Sequence, residues 1–254
     1  MNLSIIVPVH NEAAGLKKSI AQFIETLPNA LAAIIKEIIL VENGSTDGTM
    51  DACNRLNANF PKLIRVCTIS RGSYGEAIKK GMLEALGTHV VILECDFLDS
   101  RFLSASVPIL LEHQAEFVIG SKRHPQSIDL RPFKRRVLTM LYNLIFLRFL
   151  IGYPGSDTHG VKCIEATLAK KLCEMAITTD EVFQTEIVLL AWKLGSRIEE
   201  VPVQILEKRC PSVSVTRRLP KVLHTVRDLR HSLARLPKVP ANGPSTQPGQ
   251  QREF

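Results

Sequence analysis

The sequence predicts one α/β domain, a mixed and mostly parallel sheet sandwiched between helices, and three observations carry that expectation. Short Ile- and Val-rich runs recur along the first half of the chain, and amphipathic segments lie between them. The 254 residues, 45% hydrophobic and 22% charged, suffice for a single full-sized core. Strand and helix signals that alternate in this way imply a sheet covered on both faces.

The runs at 4–9, 37–42, 64–69, 88–93 and 116–120 read as buried strands, being short, β-branched and bounded by polar turns. After the first comes an amphipathic helix, with Leu16, Ile20, Phe23, Ile24 and Leu27 on one face and Asn11 as its expected cap. Ser73 and Glu76 form a capping box for a helix over 74–86. Residues 121–133 read as a polar, basic loop, 134–151 as a helix and 154–160 as a second loop. Helices follow near 165–176 and 181–194, then a strand over 197–205 and a basic helix over 219–236. From Pro237 the chain is Pro-, Gly- and Gln-rich, the composition of a disordered tail. The expected organisation is a catalytic domain over 1–210, a basic helical extension over 211–236 and a tail over 237–254.

Six scattered cysteines without a C-x-x-C pair suit neither a disulfide framework nor a zinc site. No stretch is long and apolar enough for a membrane span, and Met1 runs almost directly into a strand with no leader pattern. The expected location is cytoplasmic. Residues 207–238 hold nine Lys or Arg against Glu207 and Asp228, which accounts for the whole net charge of +7. That segment is either a solvated basic helix or a surface facing anions, whether lipid headgroups or nucleic acid. The run 137–151 is too short to span and is flanked by Lys134, Arg135 and Arg136, so it is either an interfacial helix or a helix packed into the domain.

Ligands of open α/β sheets bind outside the carboxyl ends of the strands. Here those ends read Pro8-Val9-His10-Asn11-Glu12, Glu42-Asn43-Gly44-Ser45-Thr46-Asp47 and Glu94-Cys95-Asp96-Phe97-Leu98-Asp99. Three strand ends thus bring acids to one rim, and crowded like charges call for a cation. Glu94 and Asp96 are the sharpest pair: one or two carboxylates suit Mg2+ or Mn2+ that completes its shell with water and phosphate. The competing reading is a pair of acids that simply ends a strand in water. A G-x-G-x-x-G turn, a P-loop and a glycine-rich loop after the first strand are all absent, which excludes dinucleotide-dependent dehydrogenases, P-loop kinases and sugar nucleotidylyltransferases.

The strings IIVPVHNEAAGL, ILVENGSTDGT, RGSYGEAIKKGM, ILECD and FVIGSKR, in that order, resemble glycosyltransferase family 2. GSDTHGVKCI and VFQTEIVLLAWKLGSRIEEVPVQILEK resemble its dolichyl-phosphate and polyprenyl-phosphate mannosyltransferase branch. The resemblance covers roughly residues 3–210. It implies a GT-A fold and inverting transfer of a sugar from a nucleotide diphosphate sugar to a polyprenyl-phosphate acceptor; peripheral membrane contact is expected from the run 137–151 and the basic helix over 219–236, and nucleic acid is not an expected partner. The resemblance also implies Pro8, His10, Glu12, Val41 and Asn43 in the nucleotide pocket. Glu94, Cys95 and Asp96 stand where the family carries D-x-D, giving Glu94 and Asp96 as metal ligands for Mg2+ or Mn2+ and Cys95 beside the donor. Lys122 and Lys208 match phosphate-binding positions, Arg135 an acceptor-phosphate position and Asp157 an acidic position that orients the acceptor or a basic side chain, so that Asp96 and Asp157 are the expected catalytic residues.

A phosphate acceptor is largely dianionic near neutral pH and needs no strong general base. His159 reads as a surface-loop residue, Glu186 as a structural partner of a basic side chain and Trp192 as core. Glu42-Asn43 replaces two family aspartates, Glu94 is one methylene longer than the family residue, Leu98 replaces a polar residue, and Val213-Ser214 replaces Ser-Lys. The alternative to an enzyme is a non-catalytic member that binds a nucleotide-sugar or a partner protein, since a fold does not certify activity.

Overall fold

In β1 (Leu3–Val9) the side chains of Leu3, Ile5, Val7 and Val9 join one apolar cluster and Ile6 joins another, as the two-residue period of a strand requires. β2 (Ile35–Asn43) divides the same way, Ile38 and Leu40 against Ile39 and Val41. Strands buried on both faces cannot alternate apolar with polar, so they appear in sequence as continuous runs. The computed structural model describes residues 1–70, 72–130, 136–137, 140, 143–205, 229 and 233.

Seven strands make one sheet in the order β3-β2-β1-β4-β7-β5-β8, with β3 at Ile64–Ile69, β4 at His89–Ile92, β5 at Phe117–Ser121, β7 at Lys162–Glu165 and β8 at Ile198–Pro202. All neighbours are parallel except β7, which runs antiparallel to both β4 and β5. β6 (Ile128–Asp129) and β9 (Gln204–Ile205) form a separate two-stranded ribbon. Helices α1 (Leu16–Glu25), α3 (Thr49–Asn59) and α5 (Ser100–Leu111) bury Leu16, Ile20, Phe23, Leu56 and Phe102 on one face of the sheet. On the other face α4 (Tyr74–Glu84), α6 (Ala166–Met175) and α7 (Phe183–Lys193) bury Ile78, Met82, Leu172 and Ile187. A single turn, α2 (Asn29–Ala32), precedes β2.

Several local expectations differ from the structure, each for a physical reason. α1 starts at Leu16 with Gly15 at its cap; Asn11, at φ 55°, turns its Oδ1 to the Thr46 N–H at 2.9 Å. Ser73 does precede α4, but its hydroxyl donates to the Thr179 carbonyl, which also accepts the Glu76 N–H at 3.0 Å. A tertiary acceptor has displaced the local box. The strand over 197–205 is interrupted at Val203, and its second piece pairs with β6, inside the stretch read as loop. β7 was hidden between a loop and a helix because four residues carry little periodicity. At its entry Gly160 passes so close to β5 that a Cβ would lie 1.9 Å from the Gly120 carbonyl oxygen.

Of the expected helix over 134–151, a π-helical segment Asn143–Ile151 is described. Of the basic helix, Leu229 and Leu233 are described, both packed on the α4–α7 face, with Leu229 buried. The tail from Pro237 lies outside the described residues. Among the described residues no helix is long and apolar enough to cross a membrane.

Candidate active site

The six parallel strands of the large sheet end on one edge, and β7 starts there, so the termini of all seven strands meet at a common rim. The β1 and β2 ends are laced together. His10 Nδ1 lies 2.7 Å from the Asn43 carbonyl, and its Nε2 lies 3.2 Å from Asn11 Nδ2, so Nδ1 carries the proton. The Asn43 side chain accepts from the Ser73 N–H at 2.7 Å, holding the start of α4 against the end of β2. Glu12 donates its N–H to Thr49 Oγ1 at 2.7 Å, and its carbonyl accepts from Gly15 and Leu16.

Not every rim acid faces a ligand. Glu42 is buried and accepts the Ser45 N–H at 2.6 Å, closing its own turn. Asp47 accepts from the Thr49 N–H and hydroxyl and from the Ala13 N–H, bonds that hold its carboxyl below its ordinary value. Asp99 caps α5 through the Arg101 N–H at 3.0 Å and pairs with the Arg101 guanidinium at 2.9 Å. Pro8, Val41 and Cys95 are buried, so their side chains pack inward and only their backbone reaches the rim.

Glu94 and Asp96 remain as the central acids, and they differ sharply. Asp96 is exposed. Glu94 turns toward the sheet interior, where its Oε1 accepts from the Tyr74 hydroxyl and, at 3.1 Å, from Gln184 Nε2. Burial pushes its carboxyl above the ordinary value, and the nearby Asp96 charge adds to that. Tyr74 Oη in turn accepts from Gln184 Nε2, while Gln184 Oε1 accepts from Lys162 Nζ. Lys162, wholly buried in β7, also donates to the Gly160 carbonyl at 2.6 Å, and burial lowers its ammonium to about 7. Tyr74, Lys162 and Gln184 belong to no motif of the sequence that points to the site. The available signal was Lys162 itself, a cation inside the apolar run VKCI.

Asp157 is 2% exposed and sits in the loop before β7. Its Oδ2 accepts the Lys122 N–H at 3.1 Å and its Oδ1 the His159 N–H at 2.9 Å. Burial pushes the carboxyl up, but the Lys122 ammonium, the His159 ring and these two N–H groups outweigh it and leave the carboxyl below its ordinary value. Lys122 is half-buried at the end of β5. His159 is exposed, with Thr158 and Thr185 hydroxyls 3.2 and 3.4 Å from its Nδ1. Glu186 is fully buried and accepts from the Ile177 and Thr178 N–H groups at 3.0 and 2.8 Å. Trp192 is partly buried against the core, with its ring edge-on to Tyr153 at 5.6 Å. Arg135 and Lys208 lie outside the described residues.

Among the described residues, no three His, Cys, Asp or Glu side chains converge as a metal cluster. The donor set at the rim is two hard carboxylates whose charges oppose one another, which fits Mg2+ or Mn2+ drawing its other ligands from phosphate and water. Beside Asp96 a cavity of about 180 Å³ opens toward Phe23, Leu98 and Arg101. That is smaller than pockets that enclose drug-sized ligands, so a nucleotide would have to lie along the open rim.

Residues 4–164 match the family model described as glycosyl transferase family 2. The chain is 26% identical over 218 residues to the glycosyltransferase AglD of Haloferax volcanii, covering 85% of this chain and 35% of that one. It therefore spans about a third of that relative's length. It is 26% identical over 214 residues to the undecaprenyl-phosphate mannosyltransferase of Micrococcus luteus, covering 82% of this chain and 85% of that one. Glucosyl-3-phosphoglycerate synthase from Mycobacterium tuberculosis in complex with UDP superposes with a TM-score of 0.67 at 17% identity, over 95% of this chain and 82% of that one. A further structure of that synthase, at a TM-score of 0.61 and 18% identity over 91% of this chain and 78% of that one, holds Mn2+ with UDP and glucosyl-3-phosphoglycerate. This likeness establishes the GT-A-type fold.

Proposed function

The chain belongs to glycosyl transferase family 2, and from that premise we propose that it transfers a sugar, with inversion, from a nucleotide diphosphate sugar to a polyprenyl-phosphate acceptor. One observation carries this reading most directly. The rim that in this fold class receives ligands presents Asp96 exposed beside Glu94, with Lys122 at the end of β5 of the same sheet. The nucleoside would lie over the joined ends of β1 and β2, near His10, Glu12 and Asn43. Pro8, Val41 and Cys95 would supply backbone alone.

Displacement at the anomeric carbon leaves a nucleoside diphosphate with additional charge. Mg2+ or Mn2+, when bound by Asp96 and Glu94, would neutralise part of it. Lys122 is suited to stabilise the remainder, and Asp157 holds the Lys122 backbone in place as a positioning residue. Lys208 would add a second phosphate contact, and Arg135 suits a bidentate grip on the acceptor phosphate. The acceptor arrives already ionised, so no side chain need remove a strongly held proton. The lipid acceptor is supported by the polyprenyl-phosphate relative from Micrococcus luteus.

A lipid acceptor places the protein at a membrane surface, on its cytoplasmic side by the cysteine usage. Ile128, Leu130, Met140, Phe149 and Leu150 are all exposed within one stretch of 23 residues that also carries the exposed Arg136 and Arg148. Apolar side chains among cations are the pattern of an interfacial contact.

The test is thermal unfolding with millimolar UDP, GDP, ADP and TDP, each with and without Mn2+, followed by transfer from the matching sugar donor to a short polyprenyl phosphate. One nucleotide should raise the melting temperature by several degrees, because it binds only the folded chain. No shift with any of them overturns the donor assignment. A shift without transfer to any phosphate acceptor favours the non-catalytic alternative.

A further inference from the structure

Lys162, Gln184, Tyr74 and Glu94 come from four different elements, β7, α7, α4 and the end of β4, and their polar atoms form one connected chain. Lys162 and Gln184 are nearly or wholly buried, at 0% and 3% exposed. Burying an ammonium and an amide is costly unless each finds a partner. Packing alone would favour an apolar pair at this place.

The chain has a direction. Lys162 Nζ donates to the oxygen of the Gln184 amide, and that hydrogen bond fixes which way the amide faces. The amide nitrogen is thereby left to donate, and it reaches both Tyr74 Oη and Glu94 Oε1. With its oxygen accepting from Gln184, Tyr74 turns its own proton to Glu94 Oε1. The chain that begins at Lys162 therefore ends with two donors, the Tyr74 hydroxyl and Gln184 Nε2, on one oxygen of Glu94. α4 and α7 are held close enough for this by the 176–182 loop. There the Ser73 hydroxyl and the Glu76 N–H both donate to Thr179, and a Cβ on Gly75 would lie 2.6 Å from the Thr179 and Asp180 carbonyls.

We propose that Tyr74 and Gln184 are positioning residues for the donor site, holding Glu94 by Oε1 so that its Oε2 and the Asp96 carboxylate together meet the metal on the nucleoside diphosphate, with Lys162 setting the orientation of Gln184. The proposal rests on the metal assignment above. Carboxylates that bind metals are themselves held by hydrogen bonds, and removing such an outer partner costs about 10- to 100-fold in metal affinity or activity. A glutamate here needs that restraint more than an aspartate would, since it has one more rotatable bond to fix.

The experiment measures Mn2+ binding by electron paramagnetic resonance on the full chain, with whichever nucleoside diphosphate raises its melting temperature. Tyr74→Phe and Gln184→Met, both close in volume to the parent residues, are compared with Asp96→Ala and Glu94→Gln. Tyr74→Phe and Gln184→Met should each weaken Mn2+ about tenfold, while nucleotide affinity without metal stays near the parent value. Tyr74→Phe should also leave the melting temperature of the free protein near the parent's, whereas Gln184→Met should lower it, because the buried Lys162 loses an acceptor. Transfer should fall in parallel and recover partly at high Mn2+. If Asp96→Ala and Glu94→Gln weaken Mn2+ but the Tyr74 and Gln184 variants stay within twofold of the parent, the positioning role is overturned and the metal assignment stands. If Asp96→Ala and Glu94→Gln bind Mn2+ like the parent, or the parent binds none, both fall together.

Discussion

The Asp157 carboxylate lies 3.1 Å from the backbone nitrogen of Lys122, and that hydrogen bond ties the loop entering β7 to the end of β5. The loop is fastened a second time by Ser156, whose N–H donates to Glu200 at 2.6 Å and whose Oγ lies 2.7 Å from Ser121 Oγ. A lysine at the end of a strand can sweep a wide arc. Fixing its backbone from a neighbouring loop narrows that arc to the rim.

Asp157→Asn should lower stability at pH 7 by about 1–3 kcal/mol, because the amide has one acceptor oxygen for two buried N–H groups. The folded carboxyl of Asp157 is depressed below its ordinary value. Its contribution is therefore complete above about pH 4 and is lost as the pH falls through the folded value. Urea unfolding of parent and variant across an acid series should show the gap narrowing below pH 4. A gap that stays constant down to pH 2 would mean that Asp157 keeps an ordinary value inside the fold.

Asp96→Ala should reduce sugar transfer by about 100-fold or more without lowering the melting temperature, since an exposed acid contributes little to packing. Glu94→Gln keeps the length but loses the charge. Glu94→Asp keeps the charge but draws the carboxylate back from Tyr74 and Gln184. Both should fall between Asp96→Ala and the parent in a titration of transfer rate against Mn2+. Parent-like turnover by Asp96→Ala at every Mn2+ level places the chemistry elsewhere.

Lys162 gives stability an alkaline slope. Its folded value is lowered to about 7, against about 10.4 in an unfolded chain. Between those values the unfolded chain holds a proton that the native one lacks, so stability rises with pH, by at most about 1.4 kcal/mol per unit. Lys162→Met should remove that rise between pH 7 and 9, as read by chemical denaturation. Equal slopes in parent and variant would mean that Lys162 keeps an ordinary value inside the fold.

Phe149, 79% exposed, and Leu150, 41% exposed, belong to the surface that we propose meets the membrane. The protein should float with vesicles rich in anionic lipid at low salt and release partly at high salt, as the charged contribution is screened. Replacing both residues by Ala should reduce flotation several-fold with little effect on the melting temperature. A parent protein that does not float at low salt ends the membrane reading.

Much of the fold was legible because burial on both faces of a sheet leaves a mark in sequence. Runs such as IIVPV and EIILV have no polar face to present, and they matched β1 and β2 to within two residues. The rim acids were legible for a related reason, since they follow those runs directly and a strand's end is fixed once its interior is. The order of these motifs along the chain was enough to name the family to which residues 4–164 belong.

What each acid does there was decided only in three dimensions. Glu42, Asp47 and Asp99 look like Asp96 in sequence, yet the first three close turns or cap helices while Asp96 stands exposed. Ser73 and Glu76 had the spacing of a capping box, and Thr179, more than a hundred residues away, took its place. β7 inserts antiparallel between β4 and β5 and carries Lys162 to Gln184, and although a cation inside VKCI marks the residue as unusual, nothing nearby in sequence names its partner. Apolar burial acts residue by residue and so repeats with the period of its own strand or helix. A hydrogen bond is satisfied by whichever donor or acceptor the packed core brings within 3 Å, and sequence distance has no part in that choice.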